Sequence, residues 1–415
     1  MSDLVSGSEW DLVVVGGGAA GFFAAISAAQ HASTPLRIAI LEKSGQLLQK
    51  VKISGGGRCN VTHDCLEPRD LTAHYPRGQR SLIGPFHHFG PAETIAWFNA
   101  HGVDLKVEKD GRMFPTTDSS QTIIDCLMET AQDLGIQIFT RTGVTALEAQ
   151  HSGYALTITE DLMLRSQRVL LATGGTRVTA GAKLAASLGH TLHDAVPSLF
   201  TFTIDHPLLT DLEGLSVHPA HVHIMGTKLE NQGPLLVTHW GVSGPGVLKL
   251  SALGARVLAE QDYCFDLKVN WCPGLDVARQ LQHKRQEWGT RQLATRSPLA
   301  AIPKRLWVRF CELAHVAPQT TWSQLPKEQE QSLVAQLTET LLPVTGKSLN
   351  KDEFVTCGGV ELREINLKTM ESKLNPGLYF AGEIMNIDGV TGGFNFQNAW
   401  TSGHLAGSHI AACNA

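Results

Sequence analysis

The sequence predicts an α/β protein with more than one domain, and three observations support this expectation. The chain has 415 residues, which exceeds the length at which a single hydrophobic core usually stops growing. Its first fifty residues alternate an apolar strand, a glycine-rich turn, a helix and a second strand, which is the pattern of a parallel βαβ unit. Between about 197 and 269, short β-type stretches separated by Gly and Pro predict a β-rich region.

The amino-terminal turn predicts a dinucleotide site. A β-branched strand over 11–15 runs into Gly16, Gly18 and Gly21, and a helix over 22–30 follows. In a GxGxxG turn the first glycine permits the bend, the second lets the backbone approach a pyrophosphate, and the third lets helix and strand pack closely. The helix N-terminus adds amide donors and a partial positive charge.

An acidic residue strengthens this interpretation. A second strand over 36–41 ends in Glu42, where a carboxylate can accept hydrogen bonds from the ribose hydroxyls of the dinucleotide. The alternative is a structural glycine turn followed by an acid placed there by chance.

The rest of the chain continues the α/β pattern before and after the β-rich region. A mostly helical segment over 275–342 carries many of the Gln, Trp and basic residues. The other predicted elements are helices over 92–100, 122–134, 182–188 and 398–409, and strands over 136–140, 156–158, 168–172, 200–204, 221–224 and 264–269.

A second glycine-rich motif covers 52–60 and reads Lys-Ile-Ser-Gly-Gly-Gly-Arg-Cys-Asn. Consecutive glycines let a backbone lie flat against a ring or a phosphate, and the flanking Lys, Ser, Arg and Asn side chains supply hydrogen-bond donors. A purely structural glycine loop is the alternative.

A third motif lies near the carboxyl end. A strand ends in Ala-Gly-Glu over 381–383, and a Gly-Gly-Phe-Asn-Phe turn over 392–396 leads into the last helix. This arrangement aims helix N-terminal amides at the N1–O2 edge of a flavin, where they stabilise the reduced anion. An ordinary αβ connection is the alternative.

Together the three motifs resemble a bacterial family of flavoproteins that includes aminoacetone oxidase and 3-dehydro-bile-acid reductase. The resemblance extends to 111–115, 172–175, 241–245 and 357–360, and the Ser-Gly-Gly-Gly-Arg-Cys-Asn string is highly specific to the family. It implies a glutathione-reductase-type FAD-binding Rossmann-like domain, interrupted by a β-barrel-like domain and a small helical domain. We expect the FAD-binding domain over 1–195 and 350–415, the β-rich domain over 196–274 and 343–349, and the helical insert over 275–342.

The resemblance also implies which residues bind non-covalent FAD. The ADP half would contact Gly16, Gly18, Gly21, Glu42 and Lys43, with Val144 next to the adenine. The flavin side would be lined by Ser54, Gly56, Arg58, Cys59, Asn60, Gly382, Glu383, Gly393, Phe394 and Asn395. Further cofactor-binding candidates, not assigned to either half, are Ala19, Ala20, Lys52, Gly57, Ala172, Thr173, Gly174 and Phe396.

These residues predict an FAD-dependent oxidoreductase that passes hydride between flavin N5 and a small organic substrate. No second GxGxxG turn follows a strand, so NAD(P)H would dock transiently as donor, or dioxygen would accept the electrons. The alternative is a flavin-binding redox sensor or scaffold without turnover. A redox disulfide between Cys59 and Cys65 is disfavoured, because five residues separate them and glutathione-reductase-type enzymes have four. No catalytic residue is assigned.

The charge predicts the class of partner. The net charge is −5, which disfavours nucleic acid, including the substrate of an RNA-modifying flavoenzyme, and anionic membranes. The amino terminus lacks the features of a signal peptide, so we expect a cytoplasmic protein. His87, His88, His221 and His223 lack the Cys or carboxylate neighbours of a metal site, and we expect no metal.

Overall fold

The computed structural model describes residues 4–176, 180–348 and 355–414. The chain divides into two compact units, the first formed by Met1–Val196 and Val355–Ala415 and the second by Pro197–Phe354. The predicted boundary at 349/350 lies outside the described residues, and the predicted three-way division of the chain stays a prediction.

The strands and helices have the following bounds. The strands are β1 Glu9–Val15, β2 Ile38–Leu41, β3 Thr62–His63, β4 Leu105–Val107, β5 Arg112–Pro115, β6 Gln137–Phe139, β7 Ala146–Gln150, β8 Gly153–Thr159, β9 Leu162–Leu171, β10 Leu192–Ser198, β11 Phe202–Ile204, β12 Ser216–Ile224, β13 Glu230–Thr238, β14 Gly241–Ser243, β15 Phe265–Asn270, β16 Thr340–Lys347, β17 Val355–Val360, β18 Ile365–Asn366, β19 Glu371–Ser372 and β20 Leu378–Phe380. The α-helices are α1 Ala19–His31, α2 Gln49–Gly57, α3 Pro68–Thr72, α4 Gln79–His88, α5 Pro91–Ala100, α6 Ser120–Asp133, α7 Ala180–Ser187, α8 Pro245–Leu253, α9 Ala255–Glu260, α10 Val277–Glu287, α11 Lys304–Leu313, α12 Lys327–Glu339 and α13 Phe394–Ala412.

A parallel sheet forms the centre of the first unit and confirms the predicted Rossmann-like fold. Its strands follow the order β20-β9-β1-β2-β6, and each neighbouring pair is parallel. The apolar run of β1 is buried on both sides, with Val13 and Val14 fully inaccessible to solvent, as expected for a central strand of a parallel sheet. The antiparallel strands β7 and β8 extend from β9.

Close packing of α1 against α13 fixes the position of both helices. A Cβ at Gly403 would lie 2.8 Å from the carbonyl oxygen of Ala20, and one at Gly407 would lie 2.3 Å from that of Ala24. From the first contact to the second, the position moves four residues toward the carboxyl end in both helices, so α1 and α13 run parallel. Phe394 precedes Gly403 by nine residues, so α13 begins about 14 Å before its contact with the start of α1.

The second unit contains a closed six-stranded barrel, which confirms the predicted barrel-like domain. Its strand order is β11-β14-β13-β12-β15-β16. The barrel strands and the helices α10, α11 and α12 contribute to one hydrophobic core, which includes Trp271, Trp307 and Leu337.

Two parts of the second unit differ from the sequence prediction. Helices α8 and α9 lie in the segment predicted as β-rich, because Val247, Leu250 and Leu258 recur at helical spacing and are buried. Strand β16 begins inside the segment predicted as helical, because Thr340, Leu342 and Val344 alternate as buried residues with exposed neighbours. No helix among the described residues is long and apolar enough to cross a lipid bilayer.

Candidate functional site

The glycines of the amino-terminal turn differ in what surrounds them. A Cβ at Gly16, where φ is +117°, would lie 2.3 Å from the carbonyl oxygen of Ala172, and one at Gly21 would lie 2.0 Å from that of Gly16. A Cβ at Gly18 would meet no atom of the described residues within 4 Å. Internal packing therefore explains Gly16 and Gly21, whereas the space next to Gly18 is open to a ligand.

The first turn of α1 faces this open space with free amide donors. Gly18 is the N-cap of α1 and provides no side chain to cap the amides. Among the residues that the structure describes, the positive end of the helix, at Ala19 and Ala20, therefore has no capping side chain. Gly174 follows β9, and a Cβ there would meet none of the described residues within 4 Å. The residues before it, Ala172 and Thr173, connect it to the end of the strand that pairs with β1.

The predicted adenosine-side residues come together at the end of β2. The Glu42 carboxylate accepts hydrogen bonds from the amides of Gly17 and Ser44, both at 2.8 Å, which fixes it next to the glycine turn. The Thr142 amide donates to the Glu42 carbonyl at 2.8 Å, and this holds the segment that carries the buried Val144 against the exposed Lys43.

The motif over 52–60 is partly helical. Helix α2 includes Lys52, but Ser54 is extended, and the glycines after it have positive φ angles. A Cβ at Gly56 or Gly57 would meet nothing within 4 Å in the described ranges. The exposed glycine backbone therefore presents a surface without side chains, as contact with a flat ring requires.

Two flavin-side candidates already have protein partners. The Arg58 guanidinium donates to Glu108 at 2.6 Å and lies 4.0 Å from the centre of the Phe114 ring. Cys59 is fully buried, and its burial raises the pKa of the thiol to about 12. Cys59 and Cys65 are both free thiols. Arg58 and Cys59 thus hold the shape of the glycine segment.

Asn60 connects the glycine segment to the carboxyl-terminal motif. With its amide oriented to satisfy both neighbours, Asn60 donates to the carbonyl of Thr62 at 3.0 Å and accepts from the Gly393 amide at 2.9 Å. A Cβ at Gly393 would lie 2.5 Å from the same Thr62 carbonyl. The structure thus brings together two motifs that are more than 300 residues apart in the sequence.

The loop before α13 is held by the predicted residue Glu383 and by two side chains that sequence analysis did not select, Lys50 and Ser402. The Glu383 carboxylate binds the ammonium of Lys50 and accepts from the Thr356 amide at 2.7 Å. The Ser402 hydroxyl accepts from the Gly382 amide at 2.9 Å. Lys50 and Ser402 lie outside the glycine-rich strings, so no local pattern distinguishes them.

Side chains at the start of α13 form an aromatic cluster. The Phe394 ring stacks on His74 and His63, with ring centres 4.2 and 4.8 Å apart. Asn395 donates to and accepts from the backbone of Gly389, both at 2.8 Å, and Phe396 stacks on Trp400, 5.7 Å away. The two histidines place imidazole groups next to the start of α13, and no sequence motif marks them.

The arrangement fits an FAD molecule. The helices α1 and α13 both begin without a side-chain cap. The amides at the start of α1 can bind a diphosphate, and those at the start of α13 can donate to the N1–O2 edge of a flavin ring. The buried side-chain oxygens of Thr176 and Asn398 have no hydrogen-bond partner among the described residues, as expected where a polar ligand completes the site.

The chain is similar to known proteins along nearly its whole length. The family model described as "HI0933-like protein Rossmann domain" matches residues 10–409. The chain is 30% identical to the ribosomal RNA dihydrouridine synthase of Escherichia coli (strain K12), over 97% of this chain and 98% of that protein. It is 28% identical to the 3-dehydro-bile acid delta(4,6)-reductase of Clostridium scindens, over 96% of this chain and 98% of that protein.

A solved structure supports the fold alone. A flavocytochrome c3 fumarate reductase in its open conformation superimposes with a TM-score of 0.52 at 15% sequence identity, covering 98% of this chain and 79% of that one.

Proposed function

This chain belongs to the HI0933-like family of FAD Rossmann proteins, and we propose that it is an FAD-dependent reductase of a carbon–carbon double bond conjugated to a carbonyl group. The observation that carries the proposal is the chemistry shared by two relatives that match along nearly their full length. A 3-dehydro-bile acid with Δ4 and Δ6 double bonds is a conjugated ketone. The C5–C6 double bond of uridine, which is reduced in dihydrouridine, is conjugated to the C4 carbonyl.

The residues of the site form two groups, according to the part of FAD that they would contact. Gly18, Gly174, Glu42 and the first turn of α1 would hold the diphosphate and the adenosine ribose. Gly56, Gly57 and the start of α13 would lie against the ring. When bound, FAD supplies hydride transfer at N5.

The remaining chemical requirement is a proton, because reduction of a conjugated double bond adds a hydride to one carbon and a proton to the other. His63 and His74 lie against Phe394 at the start of α13, and an imidazole is suited to hold a proton near neutral pH. The amides at the start of α13 stabilise negative charge that develops on a carbonyl oxygen or ring nearby.

The test uses purified protein with its flavin content measured by visible absorption. After anaerobic reduction by dithionite, we expect reoxidation by a conjugated enone and none by the matched alkene without the carbonyl. Reoxidation by dioxygen alone, after fast reduction by an amine, would instead identify an oxidase. No turnover with any donor, together with redox-dependent binding of a partner, would identify a sensor.

A second candidate substrate is a uracil base carried by RNA, and a basic segment of the second unit favours it. Residues 279–309 contain eight Lys or Arg and a single carboxylate, Glu287. Lys284, Arg291 and Arg296 all lie within 6 Å of the centre of the Trp288 ring. Clustered cations of this kind attract a phosphate backbone, although the whole chain has a net negative charge. The expected exclusion of nucleic acid stays a prediction.

The two substrates are distinguished by one pair of assays. If the substrate is RNA, a uridine-containing oligoribonucleotide should reoxidise the reduced flavin, and the double variant Arg291→Ala/Arg296→Ala should slow this reaction but not the reaction with a small enone. Free uridine and the oligoribonucleotide reacting equally, with no effect of the variant, would exclude a polynucleotide substrate.

A further inference from the structure

A cavity in the first unit lies outside the flavin-binding residues described above. Its volume is about 570 Å³, and its walls come from the start of α4, the segment 361–367, Lys373 and Asn386. One wall is continuous with the cofactor site, because Asn386 begins the segment that leads through Asp388 to Gly393. The buried Asp388 carboxylate forms an ion pair with Arg77, which also lines the cavity.

The cavity carries excess positive charge. Arg80, Arg363 and Lys373 line it, and none of the three forms an ion pair with a carboxylate in the part of the chain that the structure describes. The acidic group in the lining is Glu361, whose carboxylate accepts from the Arg363 amide at 3.0 Å and lies 2.9 Å from His193. Three cations and one carboxylate favour an anionic ligand.

Two further features point to a ligand with both phosphate and neutral polar groups. Helix α4 starts at the cavity, and its N-cap, Gly78, offers no side chain to the first amides, so the positive helix end adds to the three cations. The buried side-chain oxygen of Asn386 has no hydrogen-bond partner among the described residues. It can accept from a hydroxyl or amino group of a ligand.

We propose that this cavity binds the phosphate-bearing part of NADPH, the hydride donor of the enzyme. The inference rests on the proposed function, because a reductase needs a donor, and the chain has one GxGxxG turn, which the FAD would occupy. Arginine and lysine side chains are the groups that recognise the 2′-phosphate of NADPH. In the balanced reaction NADPH gives a hydride, solvent gives a proton, the double bond becomes a single bond, and NADP⁺ leaves.

The test measures binding directly on the flavin-loaded protein. Calorimetric titration with NADP⁺ and with 2′,5′-ADP should show binding, and 5′-AMP should bind at least tenfold more weakly. The double variant Arg80→Ala/Arg363→Ala should raise the Kd for NADP⁺ about 30-fold, roughly the effect of losing contacts between charged groups. Lys228→Ala/Lys327→Ala is the matched control, since it removes two exposed cations from the other unit and should leave the Kd unchanged.

The outcomes separate this inference from the proposed function. Absence of NADP⁺ binding to the wild-type protein, or an unchanged Kd in the Arg80/Arg363 variant, would overturn the NADPH site. A stronger effect of this variant on an oligoribonucleotide than on NADP⁺ would also overturn it in favour of RNA phosphate. The reaction of the dithionite-reduced protein with an enone does not need the cavity, so failure of that reaction refutes the proposed function alone.

Discussion

Replacement of Gly18 by valine separates cofactor binding from folding. Gly18 has φ −97° and ψ −174°, an extended conformation that valine adopts without strain. Its Cβ would project into space where no atom of the described part of the chain lies within 4 Å. The cost to the apoprotein is limited to the poorer N-cap, about 1 kcal/mol, whereas a branched side chain fills the space that we assign to the diphosphate.

We therefore expect Gly18→Val to raise the Kd for FAD at least 100-fold, which is about 3 kcal/mol, in a protein that still folds. The matched control is Gly16→Val, where the added Cβ lies 2.3 Å from the Ala172 carbonyl oxygen at φ +117°. That variant should lose more than about 3 kcal/mol of unfolding free energy. Flavin fluorescence titration gives the Kd, and urea denaturation of the apoproteins gives the stability.

Two results would refute this reasoning. If Gly18→Val retains FAD as the wild type does, the diphosphate does not lie at this turn. If its apoprotein is as unstable as Gly16→Val, the space beside Gly18 is needed for packing and is not reserved for a ligand.

Three further predictions concern single side chains. Glu42→Ala should weaken FAD binding by about 1–3 kcal/mol through the lost charged hydrogen bond; unchanged FAD content after dialysis would count against it. His74→Phe keeps the stack on Phe394 but removes the proton, so it should slow enone reduction with unchanged FAD affinity; an unchanged pH–rate profile would reject this role. Burial lowers the pKa of His404 to about 4, below the unfolded value of about 6.5. As the pH falls, this histidine is therefore protonated in the unfolded state before it is protonated in the folded state. The unfolding free energy, measured by urea titration, should fall by about 2 kcal/mol between pH 7 and pH 4. The variant His404→Gln should not show this loss.

The local motifs predicted the parts of the fold that are continuous in sequence. The strand, glycine turn, helix and acid over 11–42 form the expected βαβ unit, since burial on both faces of a parallel strand demands an uninterrupted apolar run. Helices α8 and α9 were missed because Gly and Pro around them are typical of β-rich loops. The basic residues over 279–309 are visible in the sequence, but the net charge of −5 argued against nucleic acid, because a sum over the chain contains no spatial information.

The sequence by itself determined the family, the βαβ unit and the glycine strings, because these depend on backbone conformation and near neighbours. Tertiary structure alone decided which glycines are needed for packing and which border open space, since that depends on atoms from distant segments. It also decided that Asn60 meets Gly393, that Lys50 meets Glu383 and that two histidines lie against Phe394. Each of these contacts joins segments that are far apart in the sequence, so a local sequence pattern does not predict it.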